Sequence, residues 1–429
     1  MSAAQSVGKL DDTSSQFTFL GHSVGGLEQI AAKEIEEQLR CRTSFSKQGG
    51  HVLFHHSTGD PSVDASFVNS ISELRSIENV YILVARFDDV KGPKEDMPRL
   101  IASLLDGVSD TVWSRAREVW SVYQEKVLEV DPSRLSKPTF RCTPKNMHSK
   151  REDKTAAAAA FAERVAARFG WQAELRDFQM EIVLRRRADS VDICMALSPE
   201  SVSFAQLKGQ RVLGSAALRP SVAFAICRLA QPQLGEVFLD AMCGCGTLTD
   251  LAALKFPRLV HLIGDNAEIA VEKTGENLAE NRAKITGGHP AVGCLALWDA
   301  RALPLADASV DVIVANMPFG KRIGSHADNK VLYPACISEF VRVLRPPNGR
   351  AVLLTTERNL LCHVLSKHGK RLVFTRHRIV MGGGEAHLFE LKLRKEDAGK
   401  KASASESSGK RPSEAAAVDA EPPNKQARA

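Results

Sequence analysis

The chain lacks several features that would place it in a common class of protein. Among its 429 residues no apolar run reaches the roughly 18 consecutive residues that a membrane-spanning helix needs. The segment from Met1 to Asp12 has no basic stretch followed by an apolar one, so we expect no secretion signal. The nine cysteines include no C-x-x-C pair, and their odd number favours reduced thiols over a disulfide framework. We therefore expect an intracellular protein without a membrane span.

A strong charge of either sign is also missing. The 57 Lys and Arg residues face 51 Asp and Glu residues, which leaves a net charge of +6. This mildly basic balance permits binding to nucleic acid without requiring it. Apolar residues make up 44% of the chain, enough for buried cores, and the length suggests two or three domains.

Short apolar runs separated by turns dominate the first 200 residues. The order strand, helix, strand, strand between Phe17 and Phe87 predicts a small α+β unit, whose helix carries an apolar stripe from Leu27 to Leu39. Further along we predict a strand at 120–123 (WSVY) and an alanine-rich helix at 156–169 that Thr155 caps. From about residue 217 the pattern changes to alternating strands and helices.

The segment 395–429 has no aromatic residue and almost no branched aliphatic residue. Such a segment cannot bury a core, so we predict a disordered tail. Its basic pairs, Lys400-Lys401 and Lys410-Arg411, leave two interpretations open, a solvated charged surface or a nuclear-import signal.

A glycine-containing turn follows a short apolar run at 237–239. The turn reads DAMCGCGT over 240–247 and leads into a helical stretch, so strand, turn and helix together predict a cradle for a nucleotide-like ligand. A dinucleotide fingerprint would have a third glycine where Thr249 stands, which disfavours pyrophosphate. Asp240 precedes the turn and suits the amino-acid end of a zwitterionic ligand. This arrangement resembles the first motif of class I methyltransferases.

Two further carboxylates stand at the predicted ends of the next two strands. Asp265 follows the apolar run 260–264, where it could accept hydrogen bonds from two ribose hydroxyls. Asp299 follows the run 294–297 and is placed to accept from an adenine amino group. One such acid alone would indicate only a loop, but three in the correct order favour a cofactor site.

The fourth apolar run, 310–315, ends in Asn316-Met317-Pro318-Phe319. This resembles the Asp/Asn-x-Pro-aromatic motif of methyltransferases that act on exocyclic or amide nitrogens. The Asn316 side-chain oxygen and the Met317 carbonyl can accept from the N–H groups of an amine, and Phe319 can stack on a base. Pro318 stiffens the turn. The alternative is an ordinary turn after a strand.

Together these patterns predict three groups of site residues. The catalytic residues are predicted to be Asn316, Met317, Pro318 and Phe319. The cofactor-binding residues are predicted to be Asp240, Cys243, Gly244, Gly246, Asp265, Asn266, Asp299, Ala300 and Asn316. The RNA-binding residues are predicted to be Arg141, Lys145, Lys321 and Arg322. No metal site is predicted, because Cys243 and Cys245 have no further ligands nearby.

Several segments carry a resemblance to one enzyme family. LRPS, DAMCGCGT, IGDN, WDA, NMPFGKRIGS, LYPAC and GRAVLLT, preceded by PTFRCTPKN and MEIVLRRRADSVDICMALSPES, resemble THUMP-domain tRNA guanine-N2 methyltransferases over about residues 16–393. The resemblance implies transfer of one methyl group from S-adenosyl-L-methionine to the exocyclic amine of acceptor-stem guanosine 6, with guanosine 7 as a second position. It also implies a THUMP region that docks the tRNA 3′ end, a small zinc-binding activator subunit as partner, and a cytoplasmic location with the nucleus as an addition.

The fold class implied by the resemblance is α/β. We expect an N-terminal ferredoxin-like domain at 16–90 and a THUMP RNA-binding domain at 91–205. A class I methyltransferase domain with a Rossmann-like, seven-stranded sheet should follow at 210–394, and the disordered tail at 395–429.

Two departures from the family keep alternatives open. Asn316 stands where the family usually has Asp, and the lysine-rich insert expected in the THUMP region is short or absent. One alternative is an N2-guanosine methyltransferase for small nuclear or ribosomal RNA, and another is a catalytically weak RNA-binding protein. An NAD-dependent oxidoreductase is disfavoured by Thr249 and by the motif at 316–319.

Overall fold

The computed structural model describes residues 16–57, 64–91, 96–146, 151–187, 189–198, 217–256, 258–282, 292–320 and 324–394. The predicted tail, with Lys321 and Arg322, lies outside these ranges. The chain divides into two compact units, residues 1–210 and 211–429. In the described ranges, no helix has both the length and the apolar character needed to cross a membrane.

The first unit is built on one eight-stranded sheet with the strand order β2-β3-β1-β4-β8-β7-β5-β6. Its strands are β1 (Gln16–Ser23), β2 (Arg42–Phe45), β3 (His51–Ser57), β4 (Ile77–Phe87), β5 (Thr139–Lys145), β6 (Gln172–Ala173), β7 (Met180–Arg187) and β8 (Ser190–Ala196). Its α-helices in the described ranges are α1 (Glu28–Leu39), α2 (Ala65–Ser72), α3 (Met97–Ser103), α4 (Asp110–Lys126) and α5 (Arg151–Phe169).

The first half of this sheet has ferredoxin-like topology, as predicted. The elements run β1-α1-β2-β3-α2-β4, and β1 pairs antiparallel with both β3 and β4. The pairing does not stop there, because β4 also pairs antiparallel with β8. The sheet therefore continues past the expected boundary near residue 90, and a division into two domains at that point stays a prediction.

The predicted strand at 120–123 is wrong, because these residues lie inside helix α4. The short W-S-V-Y alternation is part of a longer pattern with helical spacing. Ser109 begins the helix by accepting a hydrogen bond from the Val112 N–H (3.3 Å). The buried face consists of Val112, Trp113, Ala116, Val119, Trp120, Tyr123 and Gln124.

Helix α5 has the predicted end but a different start. It begins at Arg151, so Thr155 lies within its second turn and the predicted cap is wrong. Gly170 ends the helix with a left-handed backbone (φ 65°), and its N–H donates to the Ala166 carbonyl (2.9 Å).

The second unit carries a seven-stranded sheet with the order β11-β10-β9-β12-β13-β15-β14. Its strands are β9 (Val237–Asp240), β10 (Val260–Asp265), β11 (Val292–Leu297), β12 (Val312–Asn316), β13 (Arg350–Thr355), β14 (Leu372–Met381) and β15 (Gly384–Leu393). Its helices in the described ranges are α6 (Pro220–Ala230), α7 (Thr247–Lys255), α8 (Glu268–Arg282), α9 (His326–Val343) and α10 (Arg358–Lys367).

The directions of these strands confirm the predicted class I methyltransferase fold. β11, β10, β9, β12 and β13 are parallel, whereas β15 inserts antiparallel between β13 and β14. The strand order changes direction between β9 and β12, which are neighbours in the sheet but not in the chain. In open α/β sheets the crevice at the carboxyl ends of such strands is where ligands bind.

Candidate active site

Three of the predicted polar residues meet at this edge because each is the last residue of a neighbouring strand. Asp240 ends β9, Asp265 ends β10 and Asn316 ends β12. β9 pairs with both other strands, and Asp240 lies beside Ile263 of β10 and Val314 of β12. Parallel pairing alone therefore brings the three ends to one side of the sheet.

The turn after β9 is folded back across the end of β10 by backbone hydrogen bonds. The Cys243 N–H donates to the Gly264 carbonyl (3.0 Å), and the Gly244 N–H donates to Oδ2 of Asp265 (3.0 Å). The Gly246 N–H closes the turn by donating to the Cys243 carbonyl (2.8 Å). The turn is thereby fixed before any ligand arrives.

Helix α8 supports the same turn through two side chains that the sequence analysis missed. The Thr274 hydroxyl donates to the Gly244 carbonyl (3.1 Å), and Nδ2 of Asn277 donates to the Cys245 carbonyl (2.8 Å). The turn approaches this helix closely at Gly246 (φ 80°), where a Cβ would lie 2.8 Å from Cγ2 of Thr274. Polar residues three apart on the helix after the second strand are the signal that could have identified them.

Asp240 is fully buried at the base of the turn. Its Oδ2 accepts a hydrogen bond from the Thr249 hydroxyl (2.9 Å), but its Oδ1 has no donor among the described residues. Burial raises the pKa of Asp240 from 3.8 to about 7, with the Thr249 bond opposing that shift and nearby Asp265 adding to it. An incoming cationic group would satisfy Oδ1 and favour the ionised carboxylate.

Both carboxylate oxygens of Asp265 accept hydrogen bonds from backbone N–H groups. Besides the Gly244 N–H on Oδ2, the Ala267 N–H donates to Oδ1 (3.1 Å). Each oxygen keeps a second lone pair, so hydrogen bonds from ribose hydroxyls remain compatible with this geometry. Asn266, the neighbouring predicted residue, is exposed.

Trp298 connects the end of β11 to this edge. Its indole Nε1–H donates to the Ala241 carbonyl (3.2 Å), and its backbone N–H donates to the Asp265 carbonyl (3.0 Å). The ring lies against Gly264, where a Cβ would be 2.4 Å from the indole. Only glycine permits this contact, which places Asp299 and buried Ala300 beside the site.

Asp299 carries a partner that the sequence analysis did not anticipate. The Arg301 N–H donates to Oδ1 (2.9 Å), and the Arg301 guanidinium pairs with Oδ2 (2.6 Å). These hydrogen bonds lower the pKa of Asp299, which therefore stays ionised as an acceptor. Its role toward an adenine amino group stays a prediction.

The residues at this edge fit S-adenosylmethionine. Buried Asp240 has an oxygen to which no group in the described part of the chain donates, and this oxygen suits the ammonium of the amino-acid end. Gly244 is exposed with a left-handed backbone (φ 56°), and a Cβ placed there would meet no heavy atom within 4 Å. A ligand can therefore approach the backbone of the turn closely, as it must in a nucleoside cradle.

The turn at 316–320 is held at three of its backbone groups, one of which is the Phe319 carbonyl, which accepts from the Thr356 hydroxyl (3.5 Å). The Met317 N–H donates to the Leu354 carbonyl (3.0 Å). The Pro318 carbonyl accepts from Nδ2 of Asn329 (2.9 Å) and from the Tyr333 hydroxyl (2.8 Å). Oδ1 of Asn316, by contrast, is buried and has no donor among the described residues. This oxygen is an acceptor available to a substrate N–H.

Two of the predicted RNA contacts, Arg141 and Lys145, lie in the first unit. The Arg141 guanidinium pairs with the carboxylate of buried Glu181 (2.7 Å) and lies over the Phe178 ring (4.2 Å). Lys145 lies half-buried on β5 in the same sheet. Both roles stay predictions.

The structure also bears on metal binding at the glycine turn. Burial raises the pKa of the Cys243 thiol to about 12, so it is a poor ligand at neutral pH. In the parts of the chain that the structure describes, His, Cys, Asp and Glu form no group of three suited to a metal ion.

Residues 208–386 match a protein family described as UPF0020, RMKL-like, methyltransferase domain. This segment is a methyltransferase domain. The match covers both the glycine turn and the turn at 316–320. The oxidoreductase alternative is thereby excluded, and S-adenosylmethionine is the cofactor that a methyltransferase domain of this family implies.

Curated relatives confirm the resemblance that the motifs indicated. The tRNA (guanine(6)-N(2))-methyltransferase THUMP3 of Mus musculus is 27% identical over an alignment that covers 86% of this chain and 86% of that relative. The U6 snRNA (guanine-N(2))-methyltransferase THUMPD2 of Homo sapiens is 31% identical over 189 residues, covering 44% of this chain and 34% of that relative.

A solved structure confirms the fold along most of the chain. TrmN from Thermus thermophilus superimposes with a TM-score of 0.67 at 19% sequence identity, covering 88% of this chain and 99% of that one.

Proposed function

We propose that this methyltransferase forms N2-methylguanosine in tRNA, at guanosine 6 of the acceptor stem, with guanosine 7 as a second position. The observation that carries the chemistry is the buried Oδ1 of Asn316 at the end of β12, an acceptor to which none of the described residues donates. The observation that favours tRNA is the length of the similarity. The THUMP3 relative matches 86% of this chain, whereas the U6 snRNA enzyme matches 44%.

The reacting nitrogen of guanine is a weak nucleophile because its lone pair is delocalised into the ring. Oδ1 of Asn316 and the carbonyl of Met317 would accept the two N–H groups and turn the lone pair toward the methyl donor. Phe319 would stack on the base, which leaves its helical stack to reach this depth. With the methyl group supplied by the donor, which would become a neutral thioether, the amine would lose one N–H proton to solvent.

S-adenosylmethionine supplies the activated methyl group when bound. Asp240 would hold its ammonium, Asp265 its ribose hydroxyls and Asp299 its adenine amine, along the three strand ends and the glycine turn. Asn316, a neutral acceptor, places no charge beside the amine.

We also propose that residues 91–205 act as the THUMP domain that docks the tRNA 3′ end, with 16–90 as a separate ferredoxin-like module. The motifs PTFRCTPKN and MEIVLRRR support this assignment. A small zinc-binding activator subunit is proposed as partner, on the family resemblance alone. A cytoplasmic site of action is proposed on the same ground, and the basic pairs of the tail support entry into the nucleus as an addition.

The second candidate is an snRNA guanine-N2 methyltransferase, favoured by the higher identity of 31% to THUMPD2 over the catalytic part. One experiment separates the two. The full chain, with and without the activator subunit, is incubated with labelled S-adenosylmethionine and either an unmodified tRNA transcript or a U6 snRNA transcript. We expect label in tRNA only, and its loss when guanosines 6 and 7 are replaced by adenosines. Label confined to U6 snRNA would establish the second candidate instead.

A further inference from the structure

Helix α9 presents three polar residues on one face toward the turn at 316–320. His326, Asn329 and Tyr333 are spaced by three and four residues, so they lie in a line along the helix. Asn329 and Tyr333 are fully buried, in a helix whose other buried residues are almost all apolar. Buried polar groups in such a position are stable only when they form hydrogen bonds.

Both buried residues donate to the same atom. Nδ2 of Asn329 and the hydroxyl of Tyr333 reach the Pro318 carbonyl at 2.9 and 2.8 Å, which uses both lone pairs of that oxygen. The carbonyl is thereby directed into the helix. The turn packs closely against the start of α9, because a Cβ on Gly320 would lie 2.9 Å from the backbone nitrogen of His326.

The same face of α9 also forms hydrogen bonds with the last residue of β13, Thr355, and with Glu357 just beyond it. Tyr333 is 2.7 Å from Oγ1 of Thr355, and the Glu357 N–H donates to that oxygen (2.8 Å). Because the Tyr333 hydroxyl donates its proton to the Pro318 carbonyl, the Thr355 hydroxyl must be the donor to the Tyr333 oxygen. At the start of the helix, Nδ1 of His326 pairs with Oε2 of Glu357 (2.7 Å).

The side-chain amide of Asn329 is held at this position despite an unfavourable buried oxygen, which points to a role for its hydrogen bond to the turn. Its Oδ1 is buried and has no donor among the described residues, an energetic penalty that a leucine of similar volume would avoid. Among the described residues, the side-chain amide of Asn329 forms one hydrogen bond, from Nδ2 to the Pro318 carbonyl. Packing does not account for an amide at this position, whereas fixing the turn does.

We propose that Asn329 and Tyr333 are positioning residues for methyl transfer, which hold the Pro318 carbonyl so that Asn316 and Met317 face the acceptor amine. This inference rests on the proposed function for its substrate but not for the geometry of the turn. Preorganised acceptors need no rearrangement in the transition state, so loosening them lowers turnover more than binding. Neither residue touches the reacting atoms.

The test compares Tyr333→Phe, Asn329→Leu and the double variant with Ser338→Ala. Ser338 is the matched control, because its hydroxyl also donates to a backbone carbonyl of α9 (Pro334, 2.9 Å) but faces solvent away from the turn. We expect each single variant to lower kcat about tenfold and the double variant about 100-fold, with Ser338→Ala unchanged. The KM for tRNA and the Kd for S-adenosylmethionine should stay within about twofold in all of them.

Hydrogen exchange gives a second readout that needs no substrate. Peptides covering 314–320 should exchange faster in Tyr333→Phe and in the double variant, while peptides covering the glycine turn at 240–247 should not change. Unchanged exchange together with unchanged kcat would overturn the proposal. A fall in cofactor affinity and melting temperature parallel to the fall in kcat would also overturn it, in favour of a purely structural role.

The two readouts separate this inference from the proposed function. If the wild-type chain leaves tRNA unmethylated, the proposed substrate is wrong, yet exchange at 314–320 still decides whether the two residues fix the turn. If the double variant fails to fold, Tyr333→Phe alone provides the same comparison, because it removes one hydroxyl and leaves the packing of the ring intact.

Discussion

Asp240 and Asn316 each keep one buried oxygen without a hydrogen-bond donor among the described residues. They end β9 and β12, the adjacent strands at which the sheet order changes direction. A buried, unpaired polar oxygen costs on the order of 1–3 kcal/mol, so a fold keeps one mainly where a ligand completes the bond. In the proposed function, Asp240 would lie on the side of the methyl donor and Asn316 on the side of the acceptor.

The pKa of Asp240 predicts a pH-dependent cofactor affinity. Below about 7 the folded apo protein keeps this carboxyl protonated, whereas the ammonium of the ligand favours the ionised form. Binding then releases a proton, so affinity for S-adenosylmethionine should rise with pH up to about 7, by at most about tenfold per pH unit, and level off above it. Calorimetry between pH 5.5 and 8 measures this. Asp240→Asn should remove this pH dependence. Any ionisation of the ligand itself affects the wild type and the variant equally, so it does not change the comparison.

The same shift predicts the sign of an effect on stability. The unfolded chain ionises Asp240 near its ordinary pKa of 3.8, whereas the folded apo chain does so near 7. The contribution of this group to the free energy of unfolding is therefore full below about pH 4 and is lost as pH rises to about 7. Denaturant titrations of the apo protein should show this loss in the wild type and a smaller one in Asp240→Asn. An equal loss in both would mean that another group is responsible.

Asn316 is expected to act on turnover alone. Asn316→Ala removes one of the two acceptors for the amine, so kcat should fall by about 100-fold or more while the Kd for the cofactor stays nearly constant. Asn316→Asp keeps the acceptor and restores the residue usual in the family, so activity should be retained or raised. Single-turnover kinetics on mapped tRNA distinguish these outcomes. Near-normal turnover of Asn316→Ala would place the chemistry elsewhere and favour a binding protein.

At the scale of elements, the sequence predicted the catalytic unit better than the first unit. In the former, each strand is a short apolar run bounded by turn residues, and the site residues lie at the ends of those runs. The strand predicted at 120–123 was wrong because four alternating residues fit a strand or a short part of a helix equally well. Only the buried positions from Val112 to Tyr123, spaced by three and four residues, indicate the helix. Contacts between distant elements, such as Tyr333 with Pro318, leave no periodic signal in the chain.

The glycine turn predicts different effects for two of its glycines. Gly244→Ala and Gly246→Ala both place a side chain at positive φ, but only the latter brings its Cβ within 2.8 Å of Thr274. Gly246→Ala should therefore lower the apo melting temperature more than Gly244→Ala, while both weaken cofactor binding. Gly382→Ala is the control, because it shares the backbone strain (φ 56°) in a hairpin turn outside the site. Equal melting temperatures for Gly244→Ala and Gly246→Ala would contradict the packing described here.

In the whole molecule, the predicted site residues are distributed over the two compact units. The second contains every predicted cofactor-binding residue, whereas two of the four predicted RNA contacts, Arg141 and Lys145, belong to the first. Recognition of a particular RNA is thus expected to depend on residues 1–210, and chemistry on residues 211–394.

A fragment of residues 210–394 should separate these tasks. We expect it to bind S-adenosylmethionine about as well as the full chain but to methylate tRNA with a kcat/KM lower by on the order of 100-fold or more, because the base is no longer positioned. Deleting residues 396–429 from the full chain is the control and should leave turnover intact. A fragment as active as the full chain would show that the first unit does not dock the substrate.

We propose that Asn316 directs methyl transfer to the exocyclic amine of guanine in tRNA. It is tested most directly by reacting tRNA with isotope-labelled S-adenosylmethionine, digesting the product to nucleosides and identifying the labelled nucleoside by mass spectrometry. We predict labelled N2-methylguanosine with the wild-type chain and almost none with Asn316→Ala. A label on adenosine, on a ring nitrogen of guanosine, or at equal yield with Asn316→Ala would contradict the account.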